Sequence, residues 1–144
     1  MSDAEIYHEV KIKASPAAVY DAITAPEKIA QWWLPADVDQ IKVGETLRLG
    51  KNGFQEFLLT ALEPSERVKW AATEHGIADW IGTEVEFRIV PQGDKTMVLF
   101  RHSKWRDDAG MRSHCSMSWA VFLLSLKDLL ESGAGSPYPN RWVN

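Results

Sequence analysis

The sequence predicts an α+β protein in which a curved antiparallel sheet of about seven strands wraps around one long C-terminal helix. Three observations predict it. First, residues 113–132, SHCSMSWAVFLLSLKDLLES, place Trp119, Leu123, Leu126 and Leu130 at i, i+4, i+7 and i+11, a stripe on one helical face that Phe122 and Leu129 widen. Second, the segments before it alternate apolar and polar residues with a period of two and are joined by short turns, the pattern of antiparallel strands. Third, the other helix signals are confined to a short stretch after the first strand. The order is therefore one strand, two short helices, five or six strands and a long helix, with an internal cavity expected between sheet and helix.

Each element has its local reason. Ile6, His8, Val10 and Ile12 alternate with Tyr7, Glu9, Lys11 and Lys13, which makes a first strand with one buried face. Ser15-Pro16 supplies a capping hydroxyl and a first-turn proline for a helix from Ala17 to Thr24. Pro26 redirects the chain into a second helix, Glu27 to Trp33, with Thr24 and Glu27 at capping-box spacing, and Pro35 stops it. Leu34 to Gly44 reads as a loop. Strands follow at Glu45–Leu49, Phe54–Leu62 and Arg67–Thr73, separated by the turn sequences Lys51-Asn52-Gly53 and Glu63-Pro64-Ser65-Glu66. Glu74 to Trp80 has no period and reads as a loop. Ile81–Val90 alternates cleanly, and Pro91-Gln92-Gly93-Asp94 turns it into Lys95–His102, which is apolar on both faces and so central or covered on both sides. In the long helix Ser113 can cap the start, Gly133 can take the left-handed position past the end, and Pro137 prevents resumption. Residues 135–144 form an extended tail pinned by its aromatics.

The 144 residues suit one domain spanning 1–144, with 45% hydrophobic and 25% charged residues. A net charge of −4 argues against a nucleic-acid partner. No apolar run suits a membrane span, and the N-terminus lacks the layout of a signal peptide. Cys115 is the single cysteine, so neither a disulfide nor a cysteine metal cluster is expected, and no spacing matches a zinc site. Together these favour the cytoplasm and no metal or cofactor. Seven Trp stand out, but aromatics serve cores and ligand cavities equally.

Several segments resemble the START-like helix-grip (SRPBCC, Bet v 1-like) superfamily, in its branch of homologues of the activator of heat-shock-protein ATPase. They are Ser15 to Thr24 (SPAAVYDAIT), Pro26-Glu27, Gln31-Trp32-Trp33, Glu63-Pro64 with Arg67-Val68, His102, Trp119 with the leucines up to Leu130, and Gly135-Ser136-Pro137-Tyr138-Pro139. The resemblance implies a seven-stranded sheet gripping the last helix around a cavity. It does not imply one activity, since members bind hydrophobic molecules, catalyse cyclisation or dehydration, or assist a chaperone.

Candidate residues follow from chemistry. His8 and His102 are polar positions within apolar strand faces, so each needs a hydrogen bond or a ligand; they are the candidates for orienting a ligand or for acid–base work. The structural alternative is a core histidine satisfied by backbone. Trp33, Trp70, Trp80, Phe87, Phe100, His102, Trp119 and Leu123 are expected to line the cavity, whose entry is expected near Trp33 and the 74–80 loop. The leading expectation is binding or transport of a small hydrophobic or amphipathic molecule. The alternatives are an enzyme of the cyclase or hydratase kind using a cavity histidine, and a chaperone-associated interaction module. A homodimer is a further expected partner arrangement, without membrane insertion.

Overall fold

The computed structural model of the chain describes residues 4–144. Alternation in Ile6–Ile12 turns Ile6, Val10 and Ile12 inward and Tyr7, Glu9 and Lys11 outward, forming strand β1. Helix α1 (Pro16–Thr24) starts as its sequence requires: the Ser15 hydroxyl accepts from the Ala18 N–H at 3.1 Å, and Pro16 occupies the first turn. Helix α2 (Pro26–Trp32) follows after a single residue. Its cap differs from the expected capping box. Thr24 remains inside α1, where its hydroxyl donates to the Tyr20 carbonyl at 2.9 Å, and Ala25 is the cap with no side-chain bond.

Strand β2 (Ala36–Asp37) lies within the stretch expected to be loop. Two residues are too short for a period, and the strand exists only because it pairs with Leu49 and Arg48 of β3 (Thr46–Leu49). Strands β4 (Gln55–Glu63) and β5 (Arg67–Ala72) pair with a register shift between Leu59 and Ala61, a bulge of the kind that bends a strand and sharpens its twist. The 74–80 segment ends in a single 3-10 turn, Ala78–Trp80. Strand β6 (Glu84–Gln92) begins three residues later than the alternation suggested. Both the backbone N–H and the hydroxyl of Thr83 donate to the Trp80 carbonyl, at 2.9 and 2.6 Å, which commits 80–83 to a turn. At its other end β6 runs on through Pro91 and Gln92, and the hairpin into β7 (Lys95–Ser103) closes over Gly93 and Asp94 alone.

The strand order is β1-β7-β6-β5-β4-β3-β2, antiparallel throughout. β7 therefore lies between β1 and β6; Val98 and Phe100 are buried on its inner face, while Met97 and Leu99 on the outer face are half-buried. Helix α3 (Arg112–Ser132) crosses the concave face and packs along β1 and α2. Trp119, Phe122, Leu123 and Leu126 of α3 meet Phe57, Trp70, Phe87 and Phe100 of the sheet in one core. The outward face is charged and paired, with Arg67 bridging Glu63 and Glu86 and Lys69 bridging Glu84. α3 starts one residue before Ser113, with Met111 as its cap; the Met111 N–H donates at 3.0 Å to the Asp79 carboxylate from the 3-10 turn. Gly133 ends α3 in the left-handed conformation, φ 86°. Among the described residues no helix is long and apolar enough to cross a membrane.

Candidate functional site

A cavity of about 210 Å³ lies between the first half of α3, the segment after α2, the start of β4, the 74–80 loop and the tail. One stripe of α3 faces it: Met111, His114, Cys115, Ser118, Trp119 and Phe122, at helical spacings of three and four. Trp33 and Leu34 after α2 form a second wall. Phe54 and Gln55 at the start of β4, with Ile77 and Trp80 from the following loop, form a third. Tyr138 and Val143 of the tail close the last side. The indoles of Trp33 and Trp119 are 4.7 Å apart and those of Trp80 and Trp119 6.3 Å, so the inner surface is built of ring faces and edges. Phe54, Met111 and Tyr138 are exposed, which brings the cavity to the surface.

Two mobile-looking segments of sequence are tied down to make these walls. The tail is held by the Ser136 N–H donating to Ser125 Oγ at 2.7 Å and the Tyr138 N–H donating to the Trp33 carbonyl at 2.8 Å. Gly135 fits because a side chain there would meet the Gln31 carbonyl oxygen at 2.5 Å. The 74–80 loop is held by Gln55, whose Oε1 accepts from the Ile77 N–H at 2.8 Å while its Nε2 donates to the Glu56 carbonyl at 3.0 Å.

Three of the eight expected lining residues, Trp33, Trp80 and Trp119, border this cavity, and the entry lies near Trp33 and the 74–80 loop. Trp70, Phe87, Phe100 and Leu123 are buried in the core behind them. Their strand and helix phases point inward as read, but the layer of indoles stands between them and the opening.

His102 is fully buried and also lies behind that layer. The Trp119 indole N–H donates to His102 Nδ1 at 3.1 Å. That leaves Nε2 as the protonated nitrogen, which donates to the Thr83 hydroxyl at 2.8 Å; Thr83 in turn donates to the Trp80 carbonyl. Both ring nitrogens are thus taken by the protein, and burial depresses the pKa to about 3. His8 is half-buried at the other side of α3, where Nε2 meets the Ser116 carbonyl at 2.9 Å, and it does not border the cavity. Cys115 is buried at the cavity floor. Its sulfur accepts from the Trp80 indole N–H at 3.3 Å, and burial pushes its thiol pKa up.

Gln55 is the buried polar residue of the lining that sequence reasoning missed, along with apolar ones such as Leu34, Phe54, Ile77 and Phe122. It carries no periodic or compositional mark, because a glutamine at the first position of a strand is unremarkable until the loop beyond folds over it. Among the described residues no group of three or more His, Cys, Asp or Glu side chains is arranged to hold a metal ion.

A curved seven-stranded sheet gripping a C-terminal helix, with a cavity at its open end, defines a helix-grip protein of the START-like superfamily. The chain belongs to the family described as activator of Hsp90 ATPase homolog 1-like protein, whose model matches residues 13–131. Among solved structures it is similar to the Aha1 dimer from Colwellia psychrerythraea, at 38% identity and a TM-score of 0.81, covering 92% of this chain and 99% of that one. It shares its fold with MLL2253 from Mesorhizobium loti, at 22% identity and a TM-score of 0.80 over 89% of this chain and 97% of that one. It also shares it with CalU16 from Micromonospora echinospora, at 22% identity and a TM-score of 0.74 over 88% and 74%. No curated protein matches the sequence.

Proposed function

We propose that the protein binds and carries a small, flat hydrophobic or amphipathic molecule in the cavity between α3, the 74–80 loop and the C-terminal tail. The observation that supports this is the cavity itself: apolar, aromatic-walled and open to the surface through Phe54, Met111 and Tyr138. At about 210 Å³ it suits one or two fused rings better than a long acyl chain. Intrinsic tryptophan fluorescence tests the reading, because three indoles would touch the occupant. Saturable, stoichiometric quenching by members of a panel of small aromatic and terpenoid compounds is the expected result, together with a co-purifying small molecule in native mass spectrometry. A panel that gives no saturable response sinks the proposal.

The family favours a second reading, a chaperone-associated interaction module, in which the exposed rings at the cavity mouth contact a partner protein. Stimulation of Hsp90 ATP turnover by the purified protein would support it. The likeness to a solved dimer supports a homodimer, which sedimentation would reveal as twice the monomer mass. A cyclase or hydratase mechanism has less support. The nitrogens of His102 are occupied by Trp119 and Thr83 and His8 lies outside the cavity, so neither expected histidine reaches a substrate there; a mechanism of that kind would fall to His114, which is exposed on the lining.

A further inference from the structure

The cavity wall contains one buried amide. Gln55 is 1% exposed, borders the cavity and sits among apolar neighbours. Its orientation is set by its partners: Oε1 faces a donor, the Ile77 N–H, and Nε2 faces an acceptor, the Glu56 carbonyl. A primary amide has two N–H donors and two acceptor lone pairs. One N–H and one lone pair are therefore used, and one of each remains. A buried amide with spare capacity in an apolar wall is costly unless something else meets it. Among the described residues the lining holds no Lys, Arg, Asp or Glu; its other polar side chains are Ser118, half-buried, and His114 and Tyr138, both exposed to solvent. A charged ligand that reached the buried wall beside Gln55 and the indoles would have to shed its water there with no countercharge to receive it, since His114 stands at the exposed side.

We infer, on the basis of the binding reading above, that the cavity selects an uncharged ring compound bearing one hydrogen-bond acceptor, such as an aryl ketone, and that Gln55 is the residue that recognises that acceptor. The ring lies against the indoles of Trp33, Trp80 and Trp119, and the carbonyl oxygen accepts the free Nε2–H of Gln55. The role foreseen for His102, orienting the polar group of a ligand, falls to Gln55, because His102 has no unoccupied nitrogen and Gln55 has an unoccupied N–H. Since the same amide holds Ile77, recognition of the ligand and closure of the 74–80 wall meet at one side chain.

The test uses three probes of one size, acetophenone, ethylbenzene and benzoate, titrated into isotopically labelled full-length protein and followed by NMR. Acetophenone and ethylbenzene should both shift the tryptophan indole N–H signals saturably, and benzoate should bind more weakly than either. Only acetophenone should shift the Gln55 side-chain amide protons. In Gln55→Leu the ratio of acetophenone to ethylbenzene affinity should fall about 2- to 10-fold, the range expected for one neutral hydrogen bond. If Gln55→Leu fails to fold, the amide-proton signals of the unsubstituted protein decide the matter. Indole signals that saturate with acetophenone while the Gln55 amide stays unmoved, benzoate binding as tightly as acetophenone, or an unchanged ratio in Gln55→Leu would each overturn the inference while leaving a binding cavity in place. If none of the three moves the indoles, the binding reading fails and this inference with it.

Discussion

Burying an imidazole removes one of its two charge states from use. His102 is neutral in the fold, with burial holding its pKa at about 3, and an unfolded histidine titrates near 6.5. The unfolded chain therefore binds one more proton than the native chain between these values. The sign follows: stability is full above about pH 6.5, declines as pH falls toward 3, and is flat below. The slope approaches about 1.4 kcal/mol per pH unit. Between pH 6.5 and 5, above the range in which carboxylates titrate, urea midpoints should fall with pH in the unsubstituted protein and fall less steeply by about that amount in His102→Gln. Equal slopes would mean that the ring is not sealed. Trp119 has two attachments to lose, its packing against Trp33 and Phe100 and its bond to His102 Nδ1. Trp119→Ala should cost about 3–5 kcal/mol by urea denaturation; a loss under about 1 kcal/mol would contradict its place in the core. Cys115, by contrast, packs at the cavity floor with a weak bond from Trp80, so Cys115→Ser should retain the fold, as far-ultraviolet circular dichroism would show.

Elements follow the sequence where one residue or one period decides them. The Ser15 cap, the alternation of β1 and the Gly133 stop are local, and all three are as read. Where a distant segment decides, the local reading misses. Ser113 is a good capping residue, but Asp79 reaches the start of α3 from 32 positions away. β2 exists through its pairing with β3, and β6 starts late because Thr83 is held by Trp80. The same distinction explains the candidate site. Trp33, Trp80 and Trp119 on the cavity wall were legible, whereas the rest of the α3 face that borders it, His114, Cys115 and Ser118, lies beside the stripe the leucines mark, and the depth of His102 depends on how far the sheet curls. Gln55 becomes visible only when the 74–80 loop lies on it. That loop gives a further prediction. Gly76 has φ +152°, a region L side chains rarely adopt, and a Cβ there would stand 2.2 Å from Gln55 Oε1. Gly76→Ala should break the Gln55–Ile77 bond and raise hydrogen exchange across 74–80 while leaving β6 and β7 protected. Unchanged exchange in the loop would show that Gln55 does not hold it.

At the scale of the whole molecule, the sheet joins segments far apart in the sequence. β1 pairs along its full length with β7, Ile6 opposite His102 and Ile12 opposite Thr96, and α3 packs along β1 and reaches β7 through Trp119. Contacts so distant in sequence carry a loop-closure cost before they stabilise anything. Refolding followed by tryptophan fluorescence should accordingly take milliseconds to seconds, as for other sheet-dominated domains. The same pairing has a consequence on the ribosome. β1 is the first of the seven strands to be synthesised, yet its partner is completed only about a hundred residues later, a delay of roughly 5–20 seconds at ordinary elongation rates. Throughout that interval Ile6, Val10 and Ile12 have no β7 to pair with and no α3 to cover them. The nascent chain must carry an unpaired apolar strand until β7 and α3 have emerged, and Lys11 and Lys13, on the strand and just past it, place positive charge beside that strand while it waits.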